Sequence, residues 1–315
     1  MRLPTPRGQR SQQLFFALES APHATAIPWE ASNSLEDDAI ALWVLHELHY
    51  RGFDEVDDAW EWTPSTLTLR HSLEGDLEAR LRARRPEPVR TGDVTRDLLL
   101  LIESHDGPSL ARHVQTRSTK DQAVALLQQR SLYHLKEADP TSWVIPRLGA
   151  RPKSALLELQ FDEYGNGDPA RLHHHLFADG LATSGLCAEY GAYVDDTLLP
   201  VLEQNNVLSM FGLHRRLRGA ALGHLAAFEA TSSIPSRQLA QGLRRLGFSD
   251  EMACYYDEHV EADAVHEQLA LRDICAGLVD DEPHLADDVL FGAWACLDLE
   301  VRTANELLRR WGCAA

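Results

Sequence analysis

The chain has 315 residues and 48 acidic side chains against 30 lysines and arginines, for a formal charge of −18 at an ordinary 44% hydrophobic content. That charge excludes a general nucleic-acid grip and a basic membrane-surface role, because phosphate backbones and anionic lipids repel it. No apolar run approaches the roughly 20 residues that span a bilayer, and the five cysteines, without a CxxC pair, encode neither a disulfide framework nor a zinc knuckle, so a reducing, cytoplasmic setting is expected.

Residues 1–32 mix Pro, Arg, Gln and Ala without period and are expected to form a flexible arm. Ser34 then opens a helix through the capping pattern SLED, with Asp37 three residues on. From there apolar periodicity predicts helices near 35–50, 65–84, 93–103, 121–138, 153–164, 170–186, 189–204, 207–230, 236–246, 250–276 and 286–311. Pro and Gly punctuate them, as in YGNGDP at 164–169 and SSIPS at 232–236. No period-2 strand run interrupts the series, so the fold class is all-α.

The segment that carries chemistry is HVEADAVH, His259–His266. At about 100° per residue, His259, Asp263 and His266 share one sector of the helix with Met252 and Tyr256. Glu229 lies at the edge of the buried stripe of its helix, near Leu225 and Leu222. In RLHHHLFADGL the apolar face places His173 inward, His174 at the edge and His175 outward. In SALLELQFDEYG the same construction turns Glu163 inward, with Glu158 and Asp162 facing out. A single inward Glu or His is more often a satisfied core residue than a ligand. Three carboxylates and three imidazoles from four helices exceed what one ion with open positions would take, and mixed oxygen and nitrogen donors suit iron or manganese. A dinuclear site follows, with Glu163, His173, Glu229, His259, Asp263 and His266 as its reactive, metal-ligating set. Against two ferrous ions the three carboxylates leave a single positive charge. Glu137, which shares a wheel sector with Leu126, Arg130 and Tyr133, would make the set neutral as a seventh ligand; the alternative is an ion pair with Arg130.

The order E…H…E…HxxxDxxH, with steps of 10, 56 and 30 residues between Glu163, His173, Glu229 and His259, resembles the haem-oxygenase-like di-iron oxidases, often labelled iron-containing redox enzymes. RSLYHLKEADP, FDEYGNG and EHVEADAVHE are similar to segments of that family, and the resemblance covers roughly residues 115–311. It implies a haem-oxygenase-like multi-helical bundle over 115–315, preceded by an N-terminal helical extension at 33–114 that matches no catalytic motif. It further implies two Fe(II)/Fe(III) ions, dioxygen as co-substrate and oxidation of a small amine, amino-acid or fatty-acid-like molecule in specialised metabolism. Glu163 and His173 would go to one iron, His259 and His266 to the other or between the two, and Glu229 and Asp263 would bridge or flank them. An external electron donor and a homodimer are compatible with such an enzyme; nucleic acid and membrane are not expected partners.

Elsewhere, His46 and His49 flank Glu47 in VLHELHY, one residue short of the spacing that sets two imidazoles on one helix turn, and are read as structural. Trp43, Trp60 and Trp62 are read as core or interface residues, and Tyr256 as a core residue with a second reading as a phenol beside the metal site. Two rival functions remain: a haem-handling protein, which needs one proximal His and no carboxylates, and a non-catalytic helical interaction module stabilised by metal.

Overall fold

The chain folds as helix after helix, and no strand occurs among the described residues. In the computed structural model these are 1–22, 29, 31–32 and 34–313, the side chains of 261–265 excepted. The N-terminal part holds α1 (Gln9–Leu18), α2 (Leu35–Glu47), α3 (Pro64–Arg84), α4 (Val94–Ser104) and α5 (Leu110–Thr116). The rest holds α6 (Lys120–His134), α7 (Asp139–Ser142), α8 (Ala150–Glu163), α9 (His173–Thr183), α10 (Leu199–Leu213), α11 (Arg218–Arg245), α12 (Asp250–Gln268), a π-helical turn (Leu269–Cys275), α13 (Ala276–Asp281) and α14 (Ala286–Arg310). None of the described helices is long and apolar enough to cross a membrane.

Local sequence sets several of these ends. Ser34 caps α2 by accepting from the Asp37 amide, as the SLED pattern requires. Thr119 and Gln122 form a reciprocal capping box at the start of α6. Pro64 enters α3 in its first turn, where its missing N–H costs no helical bond.

Part of the segment expected to be an arm is helical. Residues 9–18 form α1, which buries Leu14, Phe15 and Leu18 against α2, and Asp37 Oδ1 accepts the Ser11 amide at 2.8 Å. Ten residues with so few apolar positions give little periodic signal, and tertiary packing supplies the stability instead. The apolar core runs without interruption from Leu14, Ile40, Trp43 and Leu73 to Leu271, Phe291 and Leu299, so residues 33–114 share their interior with the rest of the bundle. Trp43 and Trp60 are buried as expected, whereas Trp62 is 67% exposed.

Helix α11 is the spine, packing against α5, α12 and α14. It meets α14 backbone to backbone. A Cβ on Gly223 would collide with the Val289 carbonyl, and one on Gly292 with the Ala220 carbonyl. SSIPS was expected to end this helix, yet α11 continues through Pro235. The proline cannot donate to the Thr231 carbonyl. Leu239, Ala240 and Leu243 beyond it are nevertheless buried, and the packing of α11 on α5 holds the second half in line.

Candidate metal centre

Six of the seven expected ligands converge in the interior. Glu163 is the last residue of α8 and His173 the first of α9. The nine residues between them must turn back on themselves. Gly165, Asn166 and Gly167 achieve this with successive φ of 76°, 55° and 84°, and a Cβ on Gly165 would press on the backbone of Arg171 and Leu172. The turn returns His173 Nδ1 to 2.9 Å from Glu163 Oε2. Glu229 projects from α11, and α12 supplies both His259 and His266; all six side chains, with Glu137, are buried. Asp263 falls in the stretch 261–265, whose side chains lie outside the described set.

The donor atoms form two groups. One comprises Glu137, His173 and His259, the other Glu163, Glu229 and His266, and within each the ligand atoms lie within 4.8 Å of one another. In the second, His266 Nδ1 is 3.5 Å from Glu229 Oε2 and 3.7 Å from Glu163 Oε1. Glu163 therefore faces both groups, one oxygen toward His173 and the other toward His266. The pairing expected from the resemblance differs in that His173 groups with His259 and Glu137. Seven residues of α-helix rise roughly 10 Å, and His259 and His266, two turns apart, fall in different groups.

Three atoms of the expected ligands have no hydrogen-bond partner among the described residues: Glu137 Oε1, His173 Nδ1 and His266 Nδ1. The short nitrogen–oxygen separations at the two histidines do not have hydrogen-bond alignment. Buried polar atoms left this way cost free energy unless something else satisfies them. A pair of cations would. The donors, oxygen and imidazole nitrogen without thiolate, fit iron.

Neighbouring side chains hold the ligands in position. His259 Nδ1 donates to the Tyr255 carbonyl at 2.8 Å, which leaves the Nε2 lone pair facing Glu137 Oε1 at 3.9 Å. Glu137 Oε2 lies 3.0 Å from both the Tyr255 hydroxyl and His134 Nδ1, which are themselves 2.8 Å apart. One Glu137 oxygen is thus anchored and the other open. Glu137 sits just past the end of α6, which stops at His134 rather than at the expected 138, and its partners are His134 and Tyr255, not Arg130. Asp162, expected to face outward, brings Oδ2 to 3.0 Å from His266 Nε2, because α8 packs against the π-helical turn that continues α12.

The protonation states follow from these contacts. Burial, reinforced by the Glu163 charge, pushes the Glu137 carboxyl well above the usual range. Burial also raises Glu229. At Glu163 burial acts in the same direction, but His173, with smaller contributions from His259 and His266, outweighs it and the carboxyl is lowered. Burial alone would lower His173 and His266; the carboxylates of Glu163 and Glu229 respectively reverse this and raise each to about 9. His259, buried and beside a charged His173, falls to about 4.

A cavity of about 340 Å³ adjoins the first group, with His134, Tyr255 and His259 in its wall. The non-helical bonding at Pro235 borders the same space, where Thr231, Pro235 and Ser236 line it. His134, Tyr255 and Arg130, which the sequence reading did not place at the site, all face this cavity. His134 had a signal available, lying three residues before Glu137. His46, Glu47 and His49 lie elsewhere and are engaged by Glu74, Lys136 and Glu61.

A haem-oxygenase-like bundle with two buried clusters of oxygen and nitrogen donors is a scaffold for metal chemistry. The chain belongs to the iron-containing redox enzyme family, whose sequence model matches residues 124–301. Among solved structures it is similar to a CADD-like protein of unknown function from Nostoc punctiforme. One crystal structure of that protein gives a TM-score of 0.53 at 18% identity, covering 69% of this chain and 96% of the other. A second gives 0.52 at 17%, covering 69% and 94%. At that identity the likeness shows the fold. No curated protein matches the chain.

Proposed function

We propose that this protein is a non-haem di-iron oxidase or oxygenase that uses dioxygen to oxidise a small molecule held in the cavity beside His259. The carrying observation is the pair of donor groups joined by Glu163, whose two oxygens face different histidines. Glu137, His173 and His259 would hold one ion, and Glu163, Glu229 and His266 the other, with Asp263 an added ligand on the strength of the family resemblance. A ferrous pair held by these residues would supply the electrons for reducing dioxygen, with an external donor to restore them.

The remaining tasks belong to the chain's own residues. Tyr255 and His134 fix the Glu137 carboxylate by one oxygen, so that Oε1 keeps its direction. The Tyr255 carbonyl fixes the tautomer of His259. The buried surroundings keep bulk water from the reacting atoms. Five free cysteines support a reducing compartment, and the proposed setting is cytoplasmic specialised metabolism.

An oxygen electrode tests the reading. Anaerobically ferrous-loaded protein should consume dioxygen when mixed with aerated buffer and candidate amines, amino acids and fatty acids, and His259→Ala should not. Loaded wild-type protein that leaves dioxygen untouched with every candidate would return the molecule to a metal-stabilised structural role.

A further inference from the structure

The cavity wall carries two opposite charges that the proposed metal chemistry does not use. Arg130 of α6 and Glu300 of α14 both line it. Their closest approach, Nη2 to Oε2, is 3.8 Å, an ion pair too long for a hydrogen bond. A guanidinium has five N–H donors. Among the described residues, Arg130 meets a hydrogen-bond partner only through Nη1, at 3.4 Å from His134 Nε2. Glu300 Oε1 accepts from Gln204 Nε2 at 2.7 Å, which steadies the carboxylate and leaves Oε2 to the cavity side of the pair. Tyr256, on the same wall, has a buried hydroxyl with no partner among the described residues. Burial pushes that phenol up to about 12 while the Arg130 charge pulls it down, which marks the two as neighbours.

We propose that Arg130 and Glu300 are the specificity-determining pair for the substrate, and that they select a small zwitterion of the α-amino-acid type. Its carboxylate lies on the Arg130 guanidinium, its ammonium on Glu300 Oε2. The pair is neutral and half-buried, Arg130 21% and Glu300 38% exposed at the side chain. A simple carboxylic acid would leave a net negative charge against this wall and a simple amine a net positive one. A zwitterion leaves it neutral and gives each half a partner within reach. Arg130 also fixes where the rest of the molecule goes. Only the His134 imidazole separates its guanidinium from the Glu137 carboxylate, so a head group held there directs its substituent along the wall that contains His259. The inference rests on the oxidase reading for what becomes of the bound molecule, but not for the binding itself.

The test measures binding by calorimetry to full-length protein, iron-loaded under anaerobic conditions and metal-free. The ligands are the proteinogenic L-amino acids, each compared with its deaminated carboxylic acid and its decarboxylated amine. At least one amino acid should bind tenfold or more tightly than both of its counterparts. Glu300→Gln should shift the preference toward the carboxylic acid, and Arg130→Gln toward the amine. A merely structural pair would not produce opposite shifts. The proposal is overturned if no amino acid outbinds its counterparts, or if the two variants weaken all three ligand types alike. Iron content, measured on the same samples, separates the two claims. Two ions without zwitterion preference defeat this inference alone, and zwitterion preference without iron defeats the oxidase reading alone.

Discussion

In the N-terminal half, His46 sets Nε2 at 3.0 Å from Glu74 Oε1 and Nδ1 at 3.2 Å from Asn206 Oδ1, while His214 Nε2 meets Glu74 Oε2 at 2.7 Å. Both oxygens of Glu74 are occupied. In the centre, the same residue types at similar burial leave Glu137 Oε1, His173 Nδ1 and His266 Nδ1 without hydrogen-bond partners, the two histidines keeping only ion-pair separations of 2.9 and 3.5 Å to Glu163 and Glu229. Burial raises both kinds of carboxyl, but the two imidazoles facing Glu74 overcome it and hold that acid well below the usual range. At Glu137 burial and the Glu163 charge outweigh the pull of His173 and the Tyr255 hydrogen bond, and the acid stays well above it. Buried His and Glu therefore do not define a metal site by themselves; donors from several helices that converge with open atoms do.

The sharpest way to break this comparison is to remove one carboxylate from each cluster. Glu74→Ala strands two imidazoles and should cost about 3–5 kcal/mol of stability, with iron content unchanged in the folded fraction. Glu137→Gln replaces a carboxyl that burial and the Glu163 charge hold well above the usual range in the metal-free protein. It should leave metal-free stability within about 1 kcal/mol and lower iron occupancy. Urea unfolding and elemental analysis on both variants check the reversal.

Proton linkage separates the clusters next. Metal needs neutral imidazole, and in the metal-free protein His173 and His266 keep their protons up to about 9. Iron affinity should therefore rise with pH between about 6.5, the ordinary histidine value, and 9, with proton release on loading. Stability moves the other way. A histidine whose folded value is raised contributes stability that is fully present below its unfolded value and lost as pH climbs through the folded one. Metal-free protein should thus melt lower at pH 9 than at 6.5, while loaded protein should not. Calorimetry in buffers of different ionisation enthalpy, with melts at both pH values, reads both effects.

Smaller effects test the supporting shell. Tyr255→Phe removes the hydroxyl beside Glu137 Oε2 and should weaken iron binding 10- to 100-fold at about 1 kcal/mol of stability, as ferrous titration would read. The smallest effect belongs to His175, which is exposed. Its replacement by Ala should change stability by no more than about 0.5 kcal/mol and iron content not at all, whereas His173→Ala, two residues away, should lose iron.

What the sequence made legible divides along physical lines. Helices with one polar face were placed well, α3, α4 and α14 among them. Helix α10 was misplaced, at 189–204 instead of Leu199–Leu213, because Pro200 to Gly212 are all buried and no polar stripe reveals the period. The seven-residue α5 was too short to register. At the site, the helical wheel identified Glu163, His173, His259 and His266 as inward and Glu229 as lying at the edge of a buried stripe, because a ligand must share a face with the core. Grouping them was beyond it, since which ligands meet depends on how α8, α9, α11 and α12 cross. Glu137 was placed inward but assigned to a helix that ends before it. Tyr255 and Asp162 were missed for a related reason: at a helix crossing, a residue about 100° from the inward direction still reaches the neighbouring helix.

The account stands on two ions per chain. Anaerobic titration of full-length protein with ferrous iron, followed by desalting and elemental analysis, measures this directly. The expected result is two irons per wild-type chain, with at least one lost in His259→Ala and in His266→Ala. Saturation of the wild type at a single iron would contradict the dinuclear centre.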